Sequence, residues 1–388
     1  MQGRAQVVRL VGDTGVGKSR LATEFLTRIG KEDFAEPVTI RRCVCASIGN
    51  RAYGVLAYLI GDAFRIDPED DLETVRERIR SGLRSLGAGR DEIDKITPAM
   101  VHLMRLGSGE GMQYVEPRHL RSKTLYAVRA LCERRLEQGP LVMVVDNLQW
   151  ADPASLEVFR RLMDQLEAER MMLLVDHRTS FSPEPLLDAR IGHSTVRVDR
   201  LSDEDCETIL RAYFGASFDD IPGELVELVL KRAGGRPLYV EEIIRSLRAD
   251  GTLVQVQDRW SCPAGVATAD VPETIKALLI ARVDRLHSDA RRLLQETAVL
   301  GQRFDSRLLD RFTGLRRESF ERAMDLLIDE GFLEEIPDPT GTHEPKRYRF
   351  PHVLTREVVY GSMLFRNRAE MHARVEEALE VLDAVGAA

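Results

Sequence analysis

The sequence is poor in aromatic residues, at 6% with two tryptophans, and holds five cysteines in 388 residues. The cysteines show no regular spacing, which excludes a disulfide framework and reads as reduced thiols. Cys43 and Cys45 fall on one face of a predicted strand. No histidine or further cysteine follows at zinc spacing, so they read as buried thiols. No apolar run approaches the roughly 20 residues that cross a bilayer. The N-terminus lacks the apolar core of a signal peptide. The expectation is a cytoplasmic protein with no membrane partner. A one-sided basic charge is also missing. The net charge is −8, which gives no global pull towards nucleic acid or anionic lipid. Neither an internal repeat nor a low-complexity tract is present.

What is present is an ordinary globular composition, 44% hydrophobic and 30% charged, over a length that suggests two or three domains. The first half alternates strand and helix patterns, as in an α/β domain with a parallel sheet. Strands are predicted at Gln6–Val11, Val38–Cys45, Leu141–Asp146, Met171–Val175 and Ser194–Val198. Leu156, Phe159, Leu162, Met163 and Leu166 recur at helical spacing. From Leu201 the strands stop. Ser202 with Asp205 three residues on is a capping-box variant opening a helical region that runs to about Asp250. GTLVQVQDRWSCPAG reads as a small hairpin or loop. From Val271 a second helical block puts Ile275, Leu279, Val283 and Leu286 on one face. GFLEEI and KRYRF then flank a turn-rich PDPTGTHEP, which predicts a winged helix with a two-stranded wing. RNRAEMHARVEEALEVL reads as a closing amphipathic helix without a partner. The domain expectation is residues 1–199, 200–265, 266–362 and 363–388.

GDTGVGKS matches G-x-x-x-x-G-K-[ST] in full, between an apolar strand and a helix, the context this phosphate loop requires. Gly12, Asp13, Thr14, Gly15, Val16 and Gly17 would turn backbone N–H groups towards phosphates, with Arg20 just beyond. The N-terminus of the next helix favours negative charge. Lys18 can reach the β- and γ-phosphates, and Ser19 can ligate Mg²⁺. Asp146 ends the strand LVMVVD and fits the second Mg²⁺ ligand; as a lone strand-terminal acid it could instead cap a helix. Arg178 follows MMLLVDH at the edge where a γ-phosphate would lie; otherwise it is a solvated surface arginine.

These stretches, with AGGRPLYVEEII, VPETIKALLIARVDRL, AVLGQRF and YRFPHVLTREVVY in one order, resemble the STAND class of P-loop ATPases. The similarity is to the predicted-ATPase modules of bacterial class III adenylate/guanylate cyclases and of large LuxR-type regulators, and it runs over almost the whole chain. It implies a nucleotide-binding α/β domain, a helical lid and a winged helix, with ATP or ADP and Mg²⁺ as cofactors. It further implies cyclase or helical-repeat domains outside this stretch, so an internal fragment or a truncated relative is expected. The Gly-x-Pro motif of the lid maps onto Gly235, Arg236 and Pro237, with Pro237 packing near adenine; the alternative is an ordinary turn between helices. His352 stands where some relatives touch the ADP β-phosphate, although Pro351 replaces the usual arginine. A cap or a packed core group is the other reading of this histidine. His343 and His372 show no metal pattern, and Trp150 has no assigned place.

Relatives usually carry a second acid at position 147; this chain has Asn147. An amide can orient a water but cannot take its proton, and losing a general base typically costs about 10²–10⁴ in rate. Asp152 is a further carboxylate, but Asp152-Pro153 reads first as a helix cap with proline at the first helical position. The expectation is an ATP/ADP switch with weak ATPase activity. The alternative is an ATP-dependent transcriptional regulator module using the winged helix or a DNA-binding domain outside this stretch. Arg316, Arg317, Arg347 and Arg349 alternate with Glu318, Glu321, Glu334 and Glu335, which is not the one-sided basic surface that DNA binding wants. A motor needing fast turnover is disfavoured by Asn147.

Overall fold

A computed structural model of the chain describes residues 3–45, 52–66, 70–105, 117–187, 190–256, 259–263, 271–337 and 346–386. Apart from the turn Gly15–Gly17, the chain forms two compact units, one reaching Val198 and one from Asp199 to Leu382. The first contains β1 (Gln6–Val11), α1 (Lys18–Lys31), β2 (Thr39–Val44), α2 (Gly54–Phe64), α3 (Leu72–Ser85), α4 (Arg90–Arg105) and α5 (Pro117–Leu136). It continues through β3 (Leu141–Asp146), α6 (Pro153–Gln165), β4 (Met171–His177), α7 (Glu184–Leu187) and β5 (Gly192–Arg197).

The five strands form one parallel sheet in the order β2-β3-β4-β1-β5. Every residue of β3 is buried, as expected for a central parallel strand covered on both faces. The predicted α/β P-loop fold is therefore present. One strand bound moves in a way that matters. β4 runs two residues past Val175, so Asp176 and His177 belong to the strand. The strand pattern alone also does not predict the four helices α2–α5 between β2 and β3. Their apolar faces, including Ile79, Leu83, Ile96, Met100 and Leu103, join Phe159 and Leu162 in the main core of this unit.

The second unit opens with α8 (Asp203–Phe214), α9 (Gly223–Ala233) and α10 (Pro237–Ala249). Both halves of the Ser202–Asp205 capping box are formed. A hairpin, β6 (Val254–Val256) and β7 (Arg259–Ser261), follows. Then come α11 (Ile275–Arg285), α12 (Ser288–Leu300), β8 (Arg303–Asp305), α13 (Ser306–Phe312), α14 (Arg317–Asp329), β9 (Glu334–Ile336), β10 (Arg347–Arg349), α15 (Val353–Ser362) and α16 (Phe365–Gly386). The helix and hairpin order is the one expected for a winged helix, but its sheet has three strands, in the order β8-β10-β9, rather than two. The extra strand is only three residues long and pairs through Phe304 and Tyr348, too little pattern to read locally. Residues 338–345 of the wing, His343 among them, lie outside the described residues. The closing helix does find partners. On α16, His372 meets the Tyr360 hydroxyl at 2.9 Å and Arg374 lies 3.6 Å from Glu296.

Candidate functional site

The site is built at the carboxyl edge of the sheet, where the loop after β1 meets the ends of β3 and β4, because β4 lies between those two strands. Gly15 and Gly17 have φ of +82° and +103°, a left-handed backbone that glycine adopts without strain. That lets the loop turn tightly into the N-terminus of α1. Val16 is buried, which fixes the middle of the loop. Lys18 is 8% exposed, and its ammonium donates to the carbonyls of Gly12 (2.9 Å) and Asp13 (2.8 Å). Burial lowers its pKa, against the attraction of Asp176, while the nearby Arg178 lowers it further. The Thr179 hydroxyl donates to Asp13 at 3.0 Å and ties the loop to the end of β4. Ser19 and Arg20 begin α1 with their side chains exposed.

Two carboxylates stand at the ends of β3 and β4, and the one on β4 meets this loop. Asp146 and Asp176 are each 2% exposed. The Arg42 guanidinium on β2 pairs with Asp146 Oδ2 at 2.6 Å, while Asp146 Oδ1 is buried without a hydrogen-bond partner. Asp176 Oδ1 accepts the Asn147 N–H at 2.9 Å, and Oδ2 accepts the Ser19 hydroxyl at 3.4 Å. Burial, and then the adjacent Asp146 charge, push the Asp176 carboxyl well above the usual carboxylate range. Asp176 is absent from the sequence-derived candidates. The signal that could have found it is the one acid breaking the apolar run MMLLV, one residue beyond the point where Val175 pairs with Val145.

Residues 1–175 match the model of the AAA ATPase domain family. The matched stretch lies within the first unit, whose α/β fold is that of a P-loop NTPase. The match agrees with the STAND-class P-loop resemblance drawn from the motifs. An uncharacterized protein of Rhizobium meliloti is 24% identical over 394 aligned positions, 98% of this chain and 35% of the relative, so the chain spans about a third of that relative's length. Three solved structures are similar at low identity. One is a STAND protein with a tetratricopeptide repeat sensor from Pyrococcus horikoshii, at TM-score 0.48, 11% identity, 96% of this chain and 42% of that one. Another is Drosophila ORC bound to DNA, at TM-score 0.36, 12% identity, 92% of this chain and 82% of that one. The third is Cdc6p from Pyrobaculum aerophilum, at TM-score 0.36, 11% identity, 98% of this chain and 89% of that one.

In the first unit, Asn147 has φ 58° and ψ 49°, just before the short 3₁₀ turn Leu148–Trp150. Asparagine tolerates this left-handed conformation better than most residues, so the amide has a local reason to be there. Its side-chain oxygen accepts from Gln149 at 3.4 Å. Asp152 caps α6, with Pro153 in the first turn. Its carboxylate also accepts the Ser155 hydroxyl (2.7 Å) and the Tyr53 N–H (2.8 Å), a structural duty that leaves it buried. Trp150 packs partly buried on the core, with the Arg178 guanidinium 5.7 Å from the ring centre. Arg178 therefore sits near both Trp150 and Lys18 rather than in bulk solvent. His177, the residue before Arg178, is buried. Its Nδ1 meets the Arg178 carbonyl at 2.9 Å, and its ring packs edge-on against Phe181.

The two remaining candidates belong to the second unit. Pro237 starts α10 after Gly234 has closed α9 in a left-handed cap. His352 precedes α15 without capping it; its Nε2 lies 3.8 Å from Glu241 on α10.

Proposed function

We propose that the chain is an ATP- and ADP-binding regulatory switch that hydrolyses ATP slowly with Mg²⁺. The carrying observation is the convergence of the phosphate loop, Lys18 and a buried carboxylate pair on one sheet edge, with an amide at position 147. The AAA ATPase match supports nucleotide binding. Backbone N–H groups of residues 12–17 and the start of α1 would receive the phosphates. Lys18 would exchange its loop carbonyls for phosphate oxygens. Ser19 and Asp146 would hold the cation, and the unpartnered buried Asp146 Oδ1 fits that need. Among the described residues no group of three or more His, Cys, Asp or Glu is placed to hold a metal. The cation therefore depends on phosphate oxygens, as Mg²⁺ in nucleotide sites commonly does. When bound, it neutralises charge on the transferred phosphoryl group.

Arg178 would sense the γ-phosphate, and Asn147 would orient water without deprotonating it, which favours slow turnover. Arg20, Pro237 and His352 are proposed as further nucleotide contacts, the last two in a closed arrangement. A ligand shifts such a balance only through differential contacts. By the motif resemblance, the output would pass to a cyclase or helical-repeat domain, in the cytoplasm.

The test is to denature the purified chain, identify any released nucleotide, and follow single-turnover hydrolysis of added ATP with Mg²⁺. Trapped ADP and very slow turnover are expected. Lys18→Ala should lower nucleotide affinity by roughly 10–100-fold, the worth of a lost charge-assisted contact. Rapid multiple turnover that Lys18→Ala abolishes would replace the switch by a working ATPase.

A further inference from the structure

Asn147 leaves the usual second acid missing from the end of β3, yet the site still contains two carboxylates. The second comes from the neighbouring strand. Asp176 is as buried as Asp146, and its two oxygens are directed by two different parts of the site. The Asn147 N–H fixes Oδ1, and the Ser19 hydroxyl, the proposed cation ligand, meets Oδ2. The left-handed turn at Asn147 aims its N–H at β4, so the residue that replaces the acid also positions the other acid.

The hydrogen bonding of this acid pair is incomplete. Arg42 occupies one oxygen of Asp146, and Lys18 is engaged by the carbonyls of Gly12 and Asp13. Asp146 Oδ1 faces no donor. Two buried carboxylates side by side repel unless a cation sits between them and the groups they face. A divalent ion arriving with the phosphates supplies that charge, and its preference for oxygen donors matches a hydroxyl and two carboxylates.

We propose that Asp176 is the second acid of the nucleotide site, joining Ser19 and Asp146 in holding the divalent cation that accompanies the phosphates. It acts either directly or through an ordered water. This rests on the nucleotide-site reading given above.

The experiment measures binding of a fluorescent ATP analogue to the full chain in EDTA and in Mn²⁺. Its readout is the affinity gained from the metal, with Mn²⁺ EPR of the nucleotide complex as a direct count of bound ion. Asp176→Asn should keep the EDTA affinity within a few-fold and cut the Mn²⁺ gain by roughly tenfold or more, the usual scale for lost metal-site support. Asp176→Glu, which keeps the charge, should recover most of that gain. A purely structural role would move the EDTA and Mn²⁺ affinities together. An unchanged Mn²⁺ gain in Asp176→Asn overturns the proposal, as does equal loss in the Glu variant. If Asp176→Asn does not fold, Asp176→Ser is measured in its place and judged the same way. A wild-type chain that binds no nucleotide in either condition overturns the nucleotide reading itself, and the proposal with it.

Discussion

Asp152 shows how a carboxylate near a catalytic motif can be wholly structural. It caps α6 and satisfies N–H groups of Ser155 and Tyr53 in a buried setting. Asp152→Ala removes a cap worth about 1 kcal/mol and leaves buried donors unsatisfied at about 1–3 kcal/mol more. Urea unfolding should show a loss of roughly 2–4 kcal/mol on the same scales, with nucleotide affinity retained in the folded fraction. Asn147 is the opposite case, a residue with a local conformational reason and a chemical consequence. Asn147→Asp also suits a left-handed turn and restores an acid, so single-turnover hydrolysis should rise at least roughly tenfold. No change would mean that the missing base does not limit the rate. His177 carries a pH dependence. Burial lowers its pKa, so the folded state holds it neutral where the unfolded chain would be protonated. Its stabilising contribution is complete above the unfolded value near 6.5 and is lost as pH falls through that value towards the folded one. Urea midpoints should be lower at pH 5.5 than at pH 7.5, and His177→Gln should shrink that difference.

Among the elements, α10 and α11 are joined by an ion pair out of water. Arg282 on α11 and Glu242 on α10 are both about 1% exposed, and Arg245 adds a second contact to Glu242 at 2.8 Å. Removing one partner strands the other charge. Arg282→Met should cost about 3–5 kcal/mol in denaturant unfolding. The Glu242→Leu, Arg282→Met double variant should be more stable than that single variant. Gly235 is another element-scale constraint. Its φ is +75°, and an added Cβ would stand 2.4 Å from the Leu201 carbonyl oxygen, which explains the glycine of AGGRP without any ligand. The elements of the first unit were largely legible. β1 and β3 fall where the apolar runs place them, and the Ser202–Asp205 box forms where its spacing predicts. The α2–α5 insertion was not, because those helices share their apolar surface among themselves and α6, with no strand pattern to announce them.

For the molecule as a whole, the surface charge argues against a nucleic-acid partner for this stretch. In the winged-helix region Arg349 pairs with Glu334, Lys346 with Glu335 at 3.2 Å, and Arg317 with Glu321 at 3.0 Å. Basic residues matched in this way offer little net field to phosphates. Fluorescence anisotropy should show no salt-dependent binding to duplex DNA between 50 and 200 mM salt; a steep salt slope would favour the transcription-regulator reading. Local residue patterns alone specify the phosphate loop, the parallel α/β class and the helical character beyond Leu201. Those features depend on local spacing: glycines in one turn, apolar runs in strands, a helical period. Which acids share the site follows from how the strands are arranged in the sheet. Asp146 and Asp176 are thirty positions apart in number, and only the order β3-β4-β1 brings the two acids together with Asp176 beside Ser19. Strand order is set by long-range packing, so one strand's end gains its chemical meaning from its neighbour.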